Sequence, residues 1–247
     1  MAGARISAAR GRHALRSRAF ADELVREAGV ADGDLVLDLG AGAGLLTGAL
    51  RAAGARVLAV ELDPVLAGTL RRRFQSDGSV RVVEGDASRL QLPAEPFAVL
   101  ANLPFASGTA ILRRLLDDPL VSLRRVDAIL EWGLAVKRTR VWPSTQLSCY
   151  WSAWYELALV RRVPRQAFAP PPSVDAAVLR AIRRPAPLVP VSDARSYLAF
   201  LRRGFAEPGR LRRVVPRAAL RKVAFANDAN ARDLDARQWA ALYRALH

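Results

Sequence analysis

The residues best suited to chemistry are few, and they stand at the ends of short apolar runs. Asp38-Leu-Gly40-Ala-Gly42-Ala-Gly44 sets three glycines at alternate positions where an apolar run gives way to a helical pattern. Glycine lets the backbone turn sharply and lets a ligand approach the main chain. The spacing is G-x-G-x-G rather than the dinucleotide G-x-G-x-x-G, and by itself it reads equally as a tight turn. Glu61 ends the next run, about 20 residues on, where a parallel α/β topology uses an acid to accept hydrogen bonds from ribose hydroxyls. Gly85-Asp86-Ala87 ends a third run, and an Asp there can accept from an adenine amino group. Taken singly, each acid is a surface or capping residue. Taken in order, they describe a site for a nucleoside-bearing cofactor that includes Gly40, Ala41, Gly42, Leu62 and Ala87 beside the two acids.

The fourth motif, Asn102-Leu103-Pro104-Phe105, offers an amide oxygen and an adjacent main-chain carbonyl, both acceptors. Together they can hold an exocyclic NH₂ so that its nitrogen lone pair faces an electrophile, while Phe105 stacks on the base. The competing reading is an Asx-type turn closed by proline. No Ser/His/Asp or Cys/His set accompanies these residues. One Cys (Cys149) and two His (His13, His247) are too few for a His/Cys metal site, so none is expected.

The elements that must position these residues alternate regularly. LVLDLG (35–40), RVLAVEL (56–62), VRVVEGD (80–86), FAVLANL (97–103) and VDAILEW (126–132) read as buried strands. Helical stretches such as 45–53 and 64–74 separate them, which predicts a parallel, doubly wound α/β sheet. Two further strand candidates, 155–163 and 175–182, flank the loop Phe168-Ala-Pro-Pro-Pro-Ser173. Beyond a proline linker at 185–190 only helical patterns remain. Ser192-Asp193 is a candidate cap before Tyr197, Phe200, Leu201 and Phe205, and Trp239, Leu242, Tyr243 and Leu246 repeat that spacing. Trp142, Tyr150, Trp151, Trp154 and Tyr155 follow Lys137-Arg138-Thr139-Arg140 and read either as core packing or as a stacking surface, with Cys149 a buried small apolar residue among them.

The 247 residues are 51% hydrophobic and 25% charged, an ordinary globular balance. No run reaches the roughly 20 apolar residues of a bilayer span, and residues 1–21 hold no apolar signal region, so a cytoplasmic, membrane-free monomer is expected. The net charge of +15 is unevenly placed. Residues 1–21 carry five Arg and no acid, residues 22–177 balance at 18 of each sign, and residues 178–247 carry 15 basic and 5 acidic residues. Basic ends around a neutral middle suit a polyanionic partner gripped through its phosphates.

The four motifs, in this order and spacing, resemble the S-adenosylmethionine-dependent rRNA adenine N6-methyltransferases. These include the erythromycin-resistance methylases (the Erm family) and the KsgA-type dimethyladenosine transferases. Phe168-Ala-Pro170-Pro-Pro172-Ser-Val174-Asp175 is similar to the family's F-x-P-x-P-x-V loop, and Leu130-Glu-Trp132 and Tyr197…Phe200…Gly204-Phe205 lean toward the Erm branch. The resemblance implies a Rossmann-like methyltransferase domain with a basic arm over 1–183 and a small helical RNA-binding domain over 184–247. It also implies S-adenosylmethionine as cofactor and S-adenosylhomocysteine as product. The expected reaction is methylation of an adenine in 23S rRNA, giving macrolide-lincosamide-streptogramin B resistance. Asn102, Leu103, Pro104 and Phe105 become catalytic residues, Asn102 also counting among the cofactor-binding ones, with Phe168 either sandwiching the base or serving as a core aromatic. The family's Gly-Gln-Asn-Phe-Leu lid aligns with Gly11-Arg12-His13-Ala14-Leu15, which assigns His13 and Leu15 to the cofactor although only Gly11 and Leu15 are retained. KsgA-like action on 16S rRNA, a non-catalytic nucleic-acid-binding descendant and a small-molecule N-methyltransferase are the alternatives.

Overall fold

The computed structural model describes residues 13–207, 209, 211, 215, 216, 218, 220 and 230–246. Gly11 and Arg12 of the expected lid, Arg5 and Arg10 of the basic arm, and much of the basic stretch 208–229 lie outside the described residues. The described chain opens with a two-residue strand, β1 (Ala14–Leu15), and a helix, α1 (Arg18–Glu27), whose first turn is capped by the Ser17 hydroxyl accepting from the Phe20 N–H at 3.3 Å. The apolar runs then become strands: β2 (Leu35–Leu39), β3 (Arg56–Glu61), β4 (Val80–Glu84) and β5 (Phe97–Asn102). Between them stand α2 (Leu45–Ala52) and α3 (Pro64–Arg73), the latter with Asp63 as cap and Pro64 in its first turn, where a missing N–H costs nothing. Helix α4 (Gly108–Leu116) leads to β6 (Leu123–Glu131).

Strand β6 begins three residues before the apolar run that announced it, at Leu123 rather than Val126. Arg124 and Arg125 hid this extension, because both charges find partners: Arg124 pairs with Asp34 at 2.6 Å, and Arg125 pairs with the buried Asp127. Arg180, on a later strand, reaches the same Asp127 carboxylate at 2.7 Å. After α5 (Trp132–Thr139) and α6 (Gln146–Trp151) come β7 (Tyr155–Val163), β8 (Phe168–Ala169) and β9 (Ala176–Arg183). Seven strands form one sheet in the order β4-β3-β2-β5-β6-β9-β7, with β4, β3, β2, β5 and β6 mutually parallel. The order reverses between β2 and β5, which is where α/β sheets open a crevice for ligands. Strands β1 and β8 form a separate antiparallel pair, Ala14 opposite Ala169 and Leu15 opposite Phe168.

Two compact units are distinguishable. One takes in the described chain up to Leu115, Val121–Ala135 and Leu159–Arg180; the other takes in Leu116–Leu120, Val136–Ala158 and the described residues from Ala181 on. The second unit therefore recruits residues well before the proline linker. The reason is aromatic packing: Tyr150 and Trp154 pack on Tyr197 of α7 (Ala194–Ala206), which in turn meets Tyr243 of α8 (Ala236–Leu246) with ring centroids 5.3 Å apart. Cys149 is buried in the same core. The cap expected at Ser192-Asp193 is not formed by a side chain, since the Ser192 hydroxyl is spent on the Asp193 carboxylate at 2.9 Å.

Two consequences are measurable. A Cβ on Gly204 would lie 2.3 Å from the ring of the fully buried Trp239, so Gly204→Ala is expected to destabilise the protein by about 1–3 kcal/mol, read as a fall in Tm. Asp38 is buried at the end of β2, and burial pushes its carboxyl up to about 7, with the Glu61 charge acting in the same direction. Its unfolded counterpart ionises near the ordinary value of 3.8, so the contribution is complete below that pH and is lost as pH rises through about 7. Urea unfolding at pH 5 and pH 8 should show a decline of about 3 kcal/mol in the wild type that is missing from Asp38→Asn; parallel declines in the two proteins would remove Asp38 as its source.

Candidate active site

Parallel pairing brings the four motifs to one edge. The glycine turn follows β2, Glu61 ends β3 with Leu62 just beyond it, Asp86 and Ala87 follow β4, and Asn102 ends β5, so all stand at the carboxyl ends of adjacent strands. The glycine turn is stitched to its neighbour by the Gly40 and Ala41 N–H groups, which both donate to the Val60 carbonyl at 2.8 and 3.1 Å. Gly40 has φ +78, and a Cβ there would meet the Pro104 ring at 3.2 Å. A side chain at Gly40 would thus collide with the fourth motif across the switch point of the sheet.

Glu61 is almost wholly buried and serves the loop before it serves any ligand. One carboxylate oxygen accepts from the Gly42 N–H at 2.8 Å and the other from the Asp63 N–H at 2.9 Å. A carboxylate has about four acceptor positions, so capacity for two hydroxyls remains. Leu62, beside it, is 67% exposed and offers an apolar surface for a flat ring. Asp86 caps a short turn over Ala87–Arg89, taking hydrogen bonds from the Ser88 hydroxyl and N–H that hold its carboxyl below the usual range. Asp38, which heads the glycine motif, accepts from the Thr47 hydroxyl at 2.6 Å and joins β2 to α2 inside the core. The sequence reading gave this pair no role; the available signal was Thr47, the one polar side chain in the apolar turn Leu45–Leu50.

Asn102 is oriented by the N-terminal segment. Its amide nitrogen donates to the main-chain carbonyl of His13 at 2.7 Å. A carbonyl only accepts, so the amide can face it only through its NH₂, and Oδ1 must point the other way. Oδ1 is buried and has no hydrogen-bond partner. Leu103 is buried with its N–H on the Ile129 carbonyl, and the Pro104 carbonyl closes a turn with the Ser107 N–H at 3.0 Å. The His13 imidazole Nδ1 lies 2.9 Å from the Pro170 carbonyl and its ring lies against Phe105, while its carbonyl orients Asn102. Leu15 packs into the apolar cluster around α1 and lies opposite Phe168 in the β1–β8 pair.

Phe168 is fully buried in that cluster and meets Phe105 edge-on at 6.4 Å. Phe105 is partly exposed, and Phe168 stands behind it as a buttress, in keeping with the core-aromatic alternative for Phe168. The proline loop that carries Phe168 is fastened by Asp175, which accepts from the Arg165 N–H at 2.9 Å and from the Arg162 guanidinium. Among the described residues no cluster of three or more His, Cys, Asp or Glu side chains could hold a metal ion, and no helix is long and apolar enough to cross a membrane.

Comparison with known proteins agrees with this arrangement. The family model described as ribosomal RNA adenine dimethylase matches residues 5–247. The mycinamicin-resistance protein MyrB of Micromonospora griseorubida is 39% identical over 218 residues, 85% of this chain and 69% of its own. Ribosomal RNA small subunit methyltransferase A of Synechococcus sp. is 35% identical over 254 residues, 94% of this chain and 89% of its own. Among solved structures, the 23S rRNA methyltransferase ErmE superposes with a TM-score of 0.81 at 28% identity, covering 94% of this chain and 98% of that one. The chain belongs to the ribosomal RNA adenine dimethylase family, whose members are S-adenosylmethionine-dependent rRNA adenine N6-methyltransferases, and it is an enzyme of that class.

Proposed function

We propose that this enzyme methylates N6 of one adenine in 23S rRNA and thereby protects the ribosome from macrolide-type drugs. The observation that carries the chemistry is the buried, unpartnered Oδ1 of Asn102, fixed as an acceptor by the His13 carbonyl. The choice of 23S rRNA is supported by the likeness to ErmE and MyrB. The small-subunit relative in Synechococcus matches more of both chains than MyrB does and favours a second reading, action on 16S rRNA.

The residues fit S-adenosylmethionine. Glu61 retains acceptor capacity for ribose hydroxyls, Asp86 is held ionised beside Ala87, Leu62 offers an apolar face, and the glycine turn admits a ligand close to the backbone. When bound, this cofactor supplies a methyl group already activated on a sulfonium, so the protein needs no covalent nucleophile. Adenine N6 is a weak nucleophile because its lone pair is delocalised into the ring. Asn102 Oδ1 and the Leu103 carbonyl accept its two N–H bonds, favour a pyramidal nitrogen, and aim its lone pair. Pro104 fixes the turn that presents both acceptors, and Phe105 stacks on the base, which must leave its own stack to enter. The basic arm and helical tail hold the RNA backbone.

Two measurements test this. Asn102→Ala should lower kcat on an rRNA fragment by about 100- to 1,000-fold, the usual effect of deleting one preorganised polar group. Cofactor affinity by calorimetry should move far less, and equal losses in both would argue against the assignment. Mass spectrometry of rRNA from cells with and without the gene should find the new methyladenine in 23S rRNA; a modification confined to 16S rRNA establishes the second reading instead.

A further inference from the structure

The second compact unit contains a cleft of about 290 Å³ whose charge is unbalanced. Arg138, Arg140, Arg184 and Arg237 line it against only Glu156 and Asp235. Both carboxylates are already engaged: Glu156 pairs with Arg184 at 2.8 Å, and Asp235 caps α8 by accepting from the Gln238 N–H at 2.8 Å. Arg138 is the informative residue. It is 8% exposed, stacks over Trp151 at 5.7 Å, and donates one hydrogen bond to the Thr145 hydroxyl at 3.3 Å. Its Nε–H has no acceptor, and among the described residues no carboxylate pairs with it. Burial lowers its pKa with nothing to offset the effect; burial also lowers that of Arg184, there against the opposing pull of its partner Glu156. Buried guanidinium groups are normally paired. Here the missing partner is an anion.

A second observation says what kind of anion. Of the aromatic residues between 142 and 155, Tyr150, Trp151, Trp154 and Tyr155 are buried, whereas Trp142 is 58% exposed. Val141 and Ser144, on either side of it in the chain, both line the arginine cleft. The backbone beside it is tied down, since the Ser144 N–H donates to the Arg232 carbonyl at 2.8 Å. A free inorganic anion has no use for an aromatic plane. A nucleotide in a single strand presents both a phosphate and an unstacked base.

We propose that the second unit carries its own single-stranded RNA subsite, in which a backbone phosphate enters the cleft at Arg138 and the adjoining base stacks on Trp142. The inference rests on the reading that RNA is the substrate, and it adds a contact outside the four motifs.

The test is fluorescence anisotropy of a short, unstructured oligoribonucleotide bound to the full-length protein, with variants confined to exposed positions so that folding is preserved. Trp142→Ala should weaken Kd about tenfold and Trp142→Phe should restore most of it. Arg140→Gln and Arg237→Gln should each flatten the dependence of log Kd on log salt by about 0.7. S-adenosylmethionine affinity should be unchanged in all four variants, and Asn102→Ala should bind the oligoribonucleotide normally while losing turnover. Loss of binding in Trp142→Ala therefore supports the subsite even if no rRNA proves to be methylated. Wild-type affinity and salt dependence in Trp142→Ala, Arg140→Gln and Arg237→Gln would overturn it. So would a rise in Tm with inorganic phosphate that the oligoribonucleotide cannot compete away, which would make the cleft a free-anion site.

Discussion

The active edge depends on one hydrogen bond, from the Asn102 amide nitrogen to the His13 carbonyl. Without it the side-chain amide could rotate and, in the reaction proposed above, present NH₂ to the incoming base, placing donor against donor. With it, Oδ1 is held as a buried acceptor at a cost of about 1–3 kcal/mol while it lacks a partner. That cost has to be carried by the surrounding structure, and the surroundings are arranged accordingly. β1 is paired with β8, the Arg16 N–H donates to the Ala167 carbonyl at 2.9 Å, and the His13 ring is fixed between Pro170 and Phe105. The N-terminal strap, the proline loop and the fourth motif thus hold one another. The close approach of Gly40 to Pro104 extends that coupling to the glycine turn.

The orientation of Asn102 does not depend on which side chain stands at position 13. An Asn replaced by His13 changes a side chain, but orientation of Asn102 uses a main-chain oxygen that every residue possesses. The imidazole is redirected to the proline loop and the aromatic pair. The same logic applies to Glu61, whose first partners are backbone N–H groups of the glycine turn and of Asp63. The acid shapes the glycine loop, and only its residual acceptor capacity is left for the cofactor proposed to bind there.

What was legible in the sequence follows from this division of labour. Strands β2, β3 and β5 were readable because central parallel strands are largely buried and their runs are mostly apolar, whereas β4, read as buried, is the edge strand and has no fully buried residue. Their C-terminal motifs were readable because turn geometry and acceptor chemistry restrict residue type. Roles performed by main-chain atoms left no trace, so the His13 carbonyl could not be found from residue identity. Phe105 and Phe168 were alike on paper; packing around α1 buries one completely and leaves the other partly open. The aromatic run 142–155 posed the same problem, and the tertiary fold of the second unit separates Trp142 from its buried neighbours. The early start of β6 was concealed by Arg124 and Arg125, whose acidic partners lie far away in sequence or across the strand pleat.

The distribution of charge fits the chemistry of the acceptor. A carboxylate in place of Asn102 would accept an N–H more strongly, yet it would also repel a phosphate-rich substrate as the base enters and would compete for a cationic cofactor. A neutral amide oxygen and a main-chain carbonyl avoid both penalties, and in a water-poor site fixed dipoles of this kind lose little to reorganisation. The long-range attraction for a polyanion is then supplied elsewhere, by the excess of basic over acidic residues at 1–21 and 178–247 around a balanced centre. Because that attraction acts through phosphates and is screened by salt, it governs capture and register. The four strand-end motifs are left to judge the geometry of a single amino group.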